Sequence, residues 1–267
     1  MRIRGIKLLA ASALVLAAVT ALPALGAAAP EPKVIHIFTA LCDNRHQRIH
    51  PVPAALGNGQ DPERNLYWGA MYGVRTWFAK QPEWIQVKRE KNPSPHLPYV
   101  LERLVFRHES GNAYLVADAY DGKYMKECLH DFLQAASGGL PVMISLKGRP
   151  KALLAGGNSG LVCFVGHNGL MELDLRRYPE AQDQKRRDAA VFACQSRKYF
   201  QARLQRAGAR PLVLTTGNMA PEAYSVQALV KAWLAGKKPE QIREDVAQAY
   251  NKYQKCGLTG ARRLFSD

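Results

Sequence analysis

The sequence of 267 residues predicts an α/β fold, a three-layer sandwich around a mainly parallel central sheet. Two short runs rich in apolar residues, 161–165 and 189–193, are bounded by glycine or polar residues and are typical of buried parallel strands. The polar segment between them, 171–188, is long enough for a helical crossover, which would make the two strands parallel. The β-branched run 33–40 predicts a first strand at the centre of the sheet.

The remaining elements follow from apolar periodicity and turn signals. Helices are predicted over 65–78, 121–136, 197–207, 222–234 and 239–253, strands over 99–107, 113–120 and 211–214, and a small β-hairpin from 142–146 and 151–154 on the edge of the main sheet. Residues 80–98, rich in Lys and Pro, are predicted to be a surface connection.

Residues 1–28 predict a secretory signal peptide. Three basic residues within the first seven positions precede an uncharged apolar stretch, 8–25, and small residues follow around Gly26. An uncleaved anchor is the alternative interpretation. We expect residues 29–267 to form a single α/β domain that is periplasmic or secreted after cleavage.

The chain is basic, and this bears on its partners. Its net charge of +15 becomes +12 when the three basic residues of the signal peptide are removed. Such a charge favours an anionic envelope polymer or nucleic acid as a partner. The basic residues are scattered and form no nucleic-acid-binding motif, so specific nucleic-acid binding is not expected. No other stretch reaches the roughly 18 apolar residues of a membrane span, so the membrane is expected to matter only for the signal segment.

Each of the two apolar runs ends on a reactive side chain. The first leads into Gly166-His167-Asn168-Gly169 and the second into Cys194-Gln195-Ser196. Parallel neighbours would bring both to the carboxyl edge of the sheet, where open α/β sheets place their sites. A thiol needs a base to become a thiolate near neutral pH, and an imidazole is the usual one. The pattern predicts a Cys194/His167 dyad; the alternative is a core thiol and a histidine at a strand-to-turn exit.

These residues resemble the two signature blocks of the caspase-like cysteine peptidases, the group that includes legumains, caspases, gingipains and separase. In that group one apolar strand ends in His-Gly and a second ends in Ala-Cys. The corresponding blocks here are 164–169 and 191–196. The resemblance implies a caspase-like fold and peptidase activity on a peptide or protein substrate.

The resemblance also implies roles for individual residues. Cys194 would be the nucleophile and His167 the base and acid. Backbone N–H groups near Gly169 and Cys194 would form the oxyanion hole. Asn168 stands between His167 and Gly169, where the group usually has glycine directly after the histidine, so Asn168 joins Gly169 as a candidate on the oxyanion side.

Two loops are expected to line the substrate site. The loop after the first strand contains a run, 44–47, that resembles one in legumains, and the resemblance suggests Asn44 as an orienter of His167 and Arg45 or Asp43 as pocket charges. After strand 211–214, Thr216 or Asn218 would contact a peptide by the same comparison. For all of them the alternative is an ordinary role in a solvated loop or a helix N-terminal turn.

The five cysteines bear on the compartment and on metal binding. In an oxidising compartment an odd number leaves at least one free thiol. Cys163 is expected to be a buried thiol, and Cys42, Cys128 and Cys256 could supply one disulfide. No spacing matches a zinc site, and no metal or cofactor is predicted.

Together these features predict an exported cysteine hydrolase, an endopeptidase that uses a Cys194/His167 dyad. The alternative is a non-catalytic caspase-like fold that acts as a binding module for an envelope ligand or a protein.

Overall fold

A computed structural model of the chain describes residues 31–265. The predicted signal peptide, 1–28, lies outside the described residues. The strands are β1 (Lys33–Ala40), β2 (Trp84–Lys91), β3 (Val100–His108), β4 (Ala113–Tyr120), β5 (Pro141–Ile144), β6 (Leu153–Gly156), β7 (Leu161–Val165), β8 (Arg187–Phe192) and β9 (Ala209–Val213). The helices are α1 (Val74–Phe78), α2 (Met125–Ser137), α3 (Ser196–Arg206), α4 (Ala223–Leu234), α5 (Pro239–Gln254) and α6 (Leu258–Leu264).

Seven strands form the central sheet in the order β2-β3-β4-β1-β7-β8-β9. The five strands β4, β1, β7, β8 and β9 are mutually parallel, whereas β3 runs antiparallel to β4 and β2 antiparallel to β3. The remaining strands, β5 and β6, form a separate antiparallel hairpin. The α/β class, the mainly parallel sheet, the central position of β1 and the small hairpin are therefore confirmed.

Successive residues of β1 point into different parts of the core. Ile35 and Ile37 pack in a cluster with buried residues of α1, α4, α5 and α6. Phe38 packs instead with α2 and α3, through residues such as Phe132 and Phe200. The β5–β6 hairpin lies over β1, β3 and β4, where its inward side chains contact buried valines of these strands. The hairpin thus covers a face of the sheet, and its predicted position on the sheet edge is wrong.

A buried ion pair lies between β1, β3 and β4, under the hairpin. The Asp118 carboxylate accepts two hydrogen bonds from the Arg103 guanidinium, at 2.7 and 2.6 Å, and lies 3.1 Å from His36 Nε2. The N–H of Gly156 in β6 donates to His36 Nδ1 at 3.0 Å. Burial lowers the pKa of His36 more than the neighbouring carboxylate raises it. Burial would raise the pKa of Asp118, but the Arg103 and His36 charges outweigh it and hold that pKa well below its usual range.

The predicted helical crossover between β7 and β8 is wrong. A short 3-10 helix, Gly169–Met171, is followed by an irregular loop as far as β8. Leu175 is the only buried residue between 171 and 186. A helix there would have no apolar stripe to pack against the sheet, so nothing favours it over a loop.

Two further predictions on the N-terminal half are wrong. Residues 84–91, expected in a surface connection, form the edge strand β2, whose charged second half is typical of strands exposed at a sheet edge. The helix expected over 65–78 is reduced to α1, because the residues before Val74 form a series of tight turns. A Cβ on Gly69 would lie 2.0 Å from the carbonyl oxygen of Glu63, a contact that an ordinary helix does not make.

Candidate active site

The carboxyl ends of the five parallel strands meet at one edge of the sheet, and their loops are joined by hydrogen bonds. The Gln47 side chain, after β1, donates to the carbonyl of Gly122, after β4, at 3.0 Å. After β8, the N–H of Gln195 donates to the carbonyl of Gly217, after β9, at 2.8 Å. His167 and Cys194 both follow strands that end at this edge. The sequence prediction for the position of the two residues in the sheet is therefore confirmed.

His167 is held in place by a carboxylate that the sequence did not predict. Its Nε2 lies 2.7 Å from Oε1 of Glu172, and the two side chains are only 12% and 17% exposed. The second carboxylate oxygen accepts the N–H of Arg48, in the loop after β1, at 3.3 Å. An ionised carboxylate accepts hydrogen bonds and donates none, so Nε2 of His167 carries the proton in this pair. Nδ1 is then the nitrogen that remains able to accept one.

Cys194 lies at a sharp strand-to-helix turn. The residue after it, Gln195, has left-handed backbone angles, with φ 50° and ψ 33°, and α3 begins at Ser196. The Met219 N–H donates to the Cys194 sulfur at 3.4 Å, and the sulfur lies 3.6 Å from the Met219 carbonyl oxygen. The sulfur therefore lies beside the start of α3, between an N–H group that donates to it and a carbonyl oxygen that accepts from the thiol.

The turn itself is fixed by a pair of buried hydroxyl groups. Ser196 Oγ accepts the N–H of Thr215 at 2.8 Å, and the Thr215 hydroxyl oxygen accepts the N–H of Ser196 at 3.0 Å. Ser196 Oγ also donates to the carbonyl of Val191 at 2.9 Å. These bonds tie the end of β8 to the end of β9, so the backbone that carries Cys194 is rigidly supported.

One hydrogen bond joins the loop that carries His167 to the loop that carries Cys194. The Asn168 side-chain amide, fully buried, donates to the carbonyl oxygen of Cys194 at 2.7 Å and so links the two loops. Within residues 31–265, His167 and Cys194 share no hydrogen bond, since the imidazole is paired with Glu172 and the sulfur with Met219. Catalytic hydrogen bonds are often longer in ligand-free enzymes and shorten when substrate binds.

The other four cysteines differ from Cys194 in their exposure to solvent. Cys42, Cys128 and Cys163 are buried, and burial raises the pKa of each thiol, that of Cys42 to about 11. Cys256 is exposed, whereas Cys194 is partly exposed. All five cysteines are free, so Cys42, Cys128 and Cys256 do not form the disulfide that they could supply.

The predicted oxyanion donors are engaged or buried in this structure. The Gly169 N–H donates to the carbonyl oxygen of His167 at 3.0 Å. The Asn168 side chain donates to Cys194 as described, and its Oδ1 has no hydrogen-bond partner among the described residues. Gly169 is also confined sterically, because a Cβ there would lie 2.5 Å from Cγ of Met125. For Gly169 to serve as an oxyanion donor, its bond to His167 would have to open.

The loop after β1 is internally bonded and does not reach His167 through its predicted residues. The buried Asp43 carboxylate accepts from the Gln60 amide and the His46 ring at 2.9 and 2.8 Å. Burial would raise its pKa, but these hydrogen bonds lower the Asp43 pKa overall. The Asn44 side chain donates to and accepts from the backbone of Val52, at 2.7 and 3.1 Å. In this structure Asn44 is thus bonded within its own loop, and Glu172 is the side chain that contacts His167.

Two cavities near this edge contain predicted substrate-binding residues. One, of about 270 Å³, is lined by Asp43, Asn44 and the exposed Arg45. The other, of about 470 Å³, is lined by Thr216 together with residues of α3. The lining of neither includes His167 or Cys194. Thr216 also donates through its hydroxyl to the carbonyl of Arg263 at 2.8 Å, which fixes the end of α6 to this loop.

Sequence reasoning missed Glu172 and Met219. Glu172 reaches His167 because the 3-10 turn Gly169–Met171 folds the chain back, and no residue pattern marked that turn in advance. Met219 acts through its backbone N–H, which any residue but proline supplies. The only sequence signal for Glu172 is that it is an acidic residue five positions after His167.

Among residues 31–265, no group of three or more His, Cys, Asp or Glu side chains could hold a metal ion. Nor does that part of the chain contain a helix long and apolar enough to cross a bilayer.

The chain matches no protein-family model, no curated protein and no solved structure in comparisons of all three kinds.

Proposed function

We propose that this chain is an exported cysteine peptidase with a caspase-like three-layer fold, in which Cys194 attacks the amide carbonyl of a peptide or protein substrate. The observation that carries the proposal is the placement of His167 and Cys194 at the ends of adjacent parallel strands, with the Asn168 amide bonded across to the Cys194 carbonyl at 2.7 Å. The resemblance of both sequence blocks to caspase-like peptidases supports it further.

The proposed reaction uses few groups. The Cys194 thiol transfers its proton to Nδ1 of His167, and the thiolate forms the acyl bond while the amide C–N bond breaks. His167 then gives the proton to the leaving amine, and water hydrolyses the thioester. Glu172, on the other ring nitrogen, stabilises the imidazolium that forms between these steps. The oxyanion would bind backbone N–H groups near Cys194 and Asn168–Gly169.

Export to the periplasm or the cell exterior belongs to the same proposal and rests on the pattern of residues 1–28. An anionic envelope polymer is proposed as a second partner, on the basis of the net charge of +12 that remains when the three basic residues of residues 1–28 are subtracted from +15.

The test is the rate at which iodoacetamide alkylates Cys194, measured by peptide mapping between about pH 5 and 9. The exposed Cys256 in the same molecule provides an internal reference. An ordinary thiol is less than about 1% thiolate at pH 6, so a His-assisted Cys194 should react at least about tenfold faster than Cys256 there. His167→Ala should abolish this advantage, whereas His130→Ala, on the exposed face of α2, should leave it intact.

A second function is a non-catalytic binding module with the same fold. One observation favours it: the His167 ring is paired with Glu172 and does not contact the Cys194 sulfur by a hydrogen bond. If Cys194 reacts only after unfolding, or at a rate that His167→Ala does not change, the peptidase proposal fails and the binding module becomes the better interpretation.

A further inference from the structure

The β5–β6 hairpin presents apolar side chains to solvent on its outer face. Met143 and Leu154 lie opposite each other in the hairpin register and point away from the sheet. Met143 is 74% exposed, more than any other large apolar side chain among the described residues, and Leu154 is 46% exposed. The inner face of the hairpin is buried against β1, β3 and β4. The packing of the hairpin therefore holds both side chains outward.

The connection between the two strands of this hairpin is basic. It carries Lys147, Arg149 and Lys151, and the stretch 132–171 around it contains no Asp or Glu, although 22 acidic residues are spread over the whole chain. The exposed Lys185, in the loop before β8, donates to the carbonyl of Asn158 at 2.7 Å and so lies beside the hairpin. Cations thus surround the two exposed apolar side chains.

Three carboxylates lie near these cations, and each is paired with a cation. The pairs are Glu31–Arg149 at 3.6 Å, Glu90–Lys88 at 2.8 Å and Asp183–Arg187 at 2.7 Å. Within residues 31–265, Lys147, Lys151 and Lys185 form no ion pair. The surface therefore keeps a surplus of positive charge, which lies on these three lysines.

This surface lies at the opposite end of the strands from the candidate active site. A depression of about 610 Å³ beside the hairpin is lined by Leu154, Lys151 and Lys185, together with Pro32 and Val34 at the start of β1. The candidate site is formed at the carboxyl ends of the parallel strands. A partner that covers the hairpin would therefore leave the candidate site open to substrate.

We propose that this surface, which we call the hairpin face, binds a bilayer that contains anionic phospholipids. The hairpin face consists of Met143, Leu154, Lys147, Arg149, Lys151 and Lys185. Its apolar side chains would enter between the lipid headgroups while the cations contact the phosphates. An anionic polymer in solution could use the cations, but it would bury neither of the two exposed apolar side chains, and such side chains favour a lipid surface.

The inference extends the role of the membrane beyond residues 1–28. The sequence predicts a role for the membrane only in that segment, because a search for membrane spans requires roughly 18 apolar residues in a row. Contact with the bilayer surface requires no span. The inference is also independent of any reaction at Cys194.

The test is co-sedimentation of residues 29–267 with phospholipid vesicles. This chain contains every described helix and strand and lacks the apolar stretch 8–25, which would bind a bilayer by itself. The vesicles consist of phosphatidylcholine alone or with about one-third phosphatidylglycerol, an anionic lipid. We expect the partition coefficient to be at least about tenfold larger on the anionic vesicles, since each basic residue near an anionic surface strengthens binding about fivefold. The difference should shrink as salt is added.

Two double variants separate the apolar contribution from the ionic one. Met143→Ser combined with Leu154→Ser should weaken binding to the anionic vesicles by about tenfold. The matched control, Met71→Ser combined with Ile85→Ser, alters side chains that are 65% and 46% exposed elsewhere and should bind as the wild type does.

Lys147→Gln combined with Lys151→Gln should also weaken binding by about tenfold or more. Lys80→Gln combined with Lys126→Gln removes the same charge from exposed positions outside the hairpin face and should change binding by less than about twofold.

A gain of signal tests insertion without relying on a loss of binding. Tryptophan fluorescence is quenched by lipids that carry bromine on their acyl chains, so Met143→Trp should show quenching on anionic brominated vesicles that the wild type and Met71→Trp do not show.

Three results would overturn the inference: equal partition on the two kinds of vesicle, equal losses in the hairpin variants and their controls, or no added quenching in Met143→Trp. Binding that depends on the two lysines but not on Met143 and Leu154 would also overturn it, and would favour a soluble anionic polymer as the partner. None of these results would affect the proposed function of Cys194.

Discussion

Replacing Glu172 by glutamine should slow the alkylation of Cys194 by about tenfold at a pH near 6. The substitution keeps the size of the side chain and one hydrogen bond to His167 but removes the negative charge. The bond measures 2.7 Å between side chains that are 12% and 17% exposed, so solvent screens it only in part. A hydrogen bond to a charged group contributes about 1.5–3 kcal/mol and a neutral one about 0.5–1.5 kcal/mol. The difference of about 1–2 kcal/mol corresponds to roughly tenfold in the population of the thiolate–imidazolium pair.

The assay is iodoacetamide labelling of Cys194 by peptide mapping, with Cys256 as the reference thiol. Asp174→Asn is the matched control, because Asp174 lies in the same loop and its hydrogen bond goes to Tyr178. The control should label at the wild-type rate. If Glu172→Gln does the same, the carboxylate does not assist His167. A faster rate in Glu172→Gln would mean that the pair holds the imidazole away from the sulfur, and the positioning role would have to be abandoned.

Three further predictions concern stability and the thiols. Gly169→Ala should lower the free energy of unfolding in urea by about 1–3 kcal/mol, because the new Cβ would lie 2.5 Å from Met125. In a double-mutant cycle, Met125→Ala should reduce that cost. If the free-energy changes of the two substitutions simply add, the clash is contradicted. Asp118→Asn should cost about 3–5 kcal/mol at neutral pH. The Asp118 pKa is held below its unfolded value of about 3.9, so this stabilisation is present above about pH 4 and is lost as the pH falls further. If wild type and variant differed in free energy of unfolding by the same amount near pH 3 as at neutral pH, the result would be inconsistent with the ion pair. Mass spectrometry of the native chain should find five free thiols, with Cys256 open to labelling and three buried thiols labelled only after unfolding; a mass lower by about two hydrogens would reveal a disulfide.

Strands that are buried along their whole length were predictable from this sequence. β7 is apolar throughout, β8 is apolar from Ala189 onward, and β1 is mostly apolar or β-branched; every residue of β7 and β8 is buried. Their parallel pairing placed His167 and Cys194 at one edge of the sheet. The amphipathic helices α2, α4 and α5 were predictable for a similar reason, because each presents an apolar face to the core.

The errors arise where long-range packing decides the conformation. The charged edge strand β2 is held by its pairing with β3 and not by burial, so its residues look like a surface loop. At the site, the resemblance suggests Asn44 as the orienter of His167, yet the Asn44 side chain donates to the backbone of Val52 within its own loop. Glu172 contacts His167 instead, because the 3-10 turn Gly169–Met171 folds the chain back. A turn of three residues is too short to produce a periodic pattern in the sequence.

The irregular crossover from β7 to β8 divides the candidate site between two lengths of chain. His167 lies before it and Cys194 after it, and residues 180–186 of the loop are exposed. Exposed loops of this kind are where proteases cut and where chains tolerate interruption. A single break there would leave two fragments with the β7–β8 register of Leu161–Val165 against Asp188–Phe192 still available for pairing. The protein is therefore suited to fragment complementation, in which neither fragment alone carries both the imidazole and the thiol.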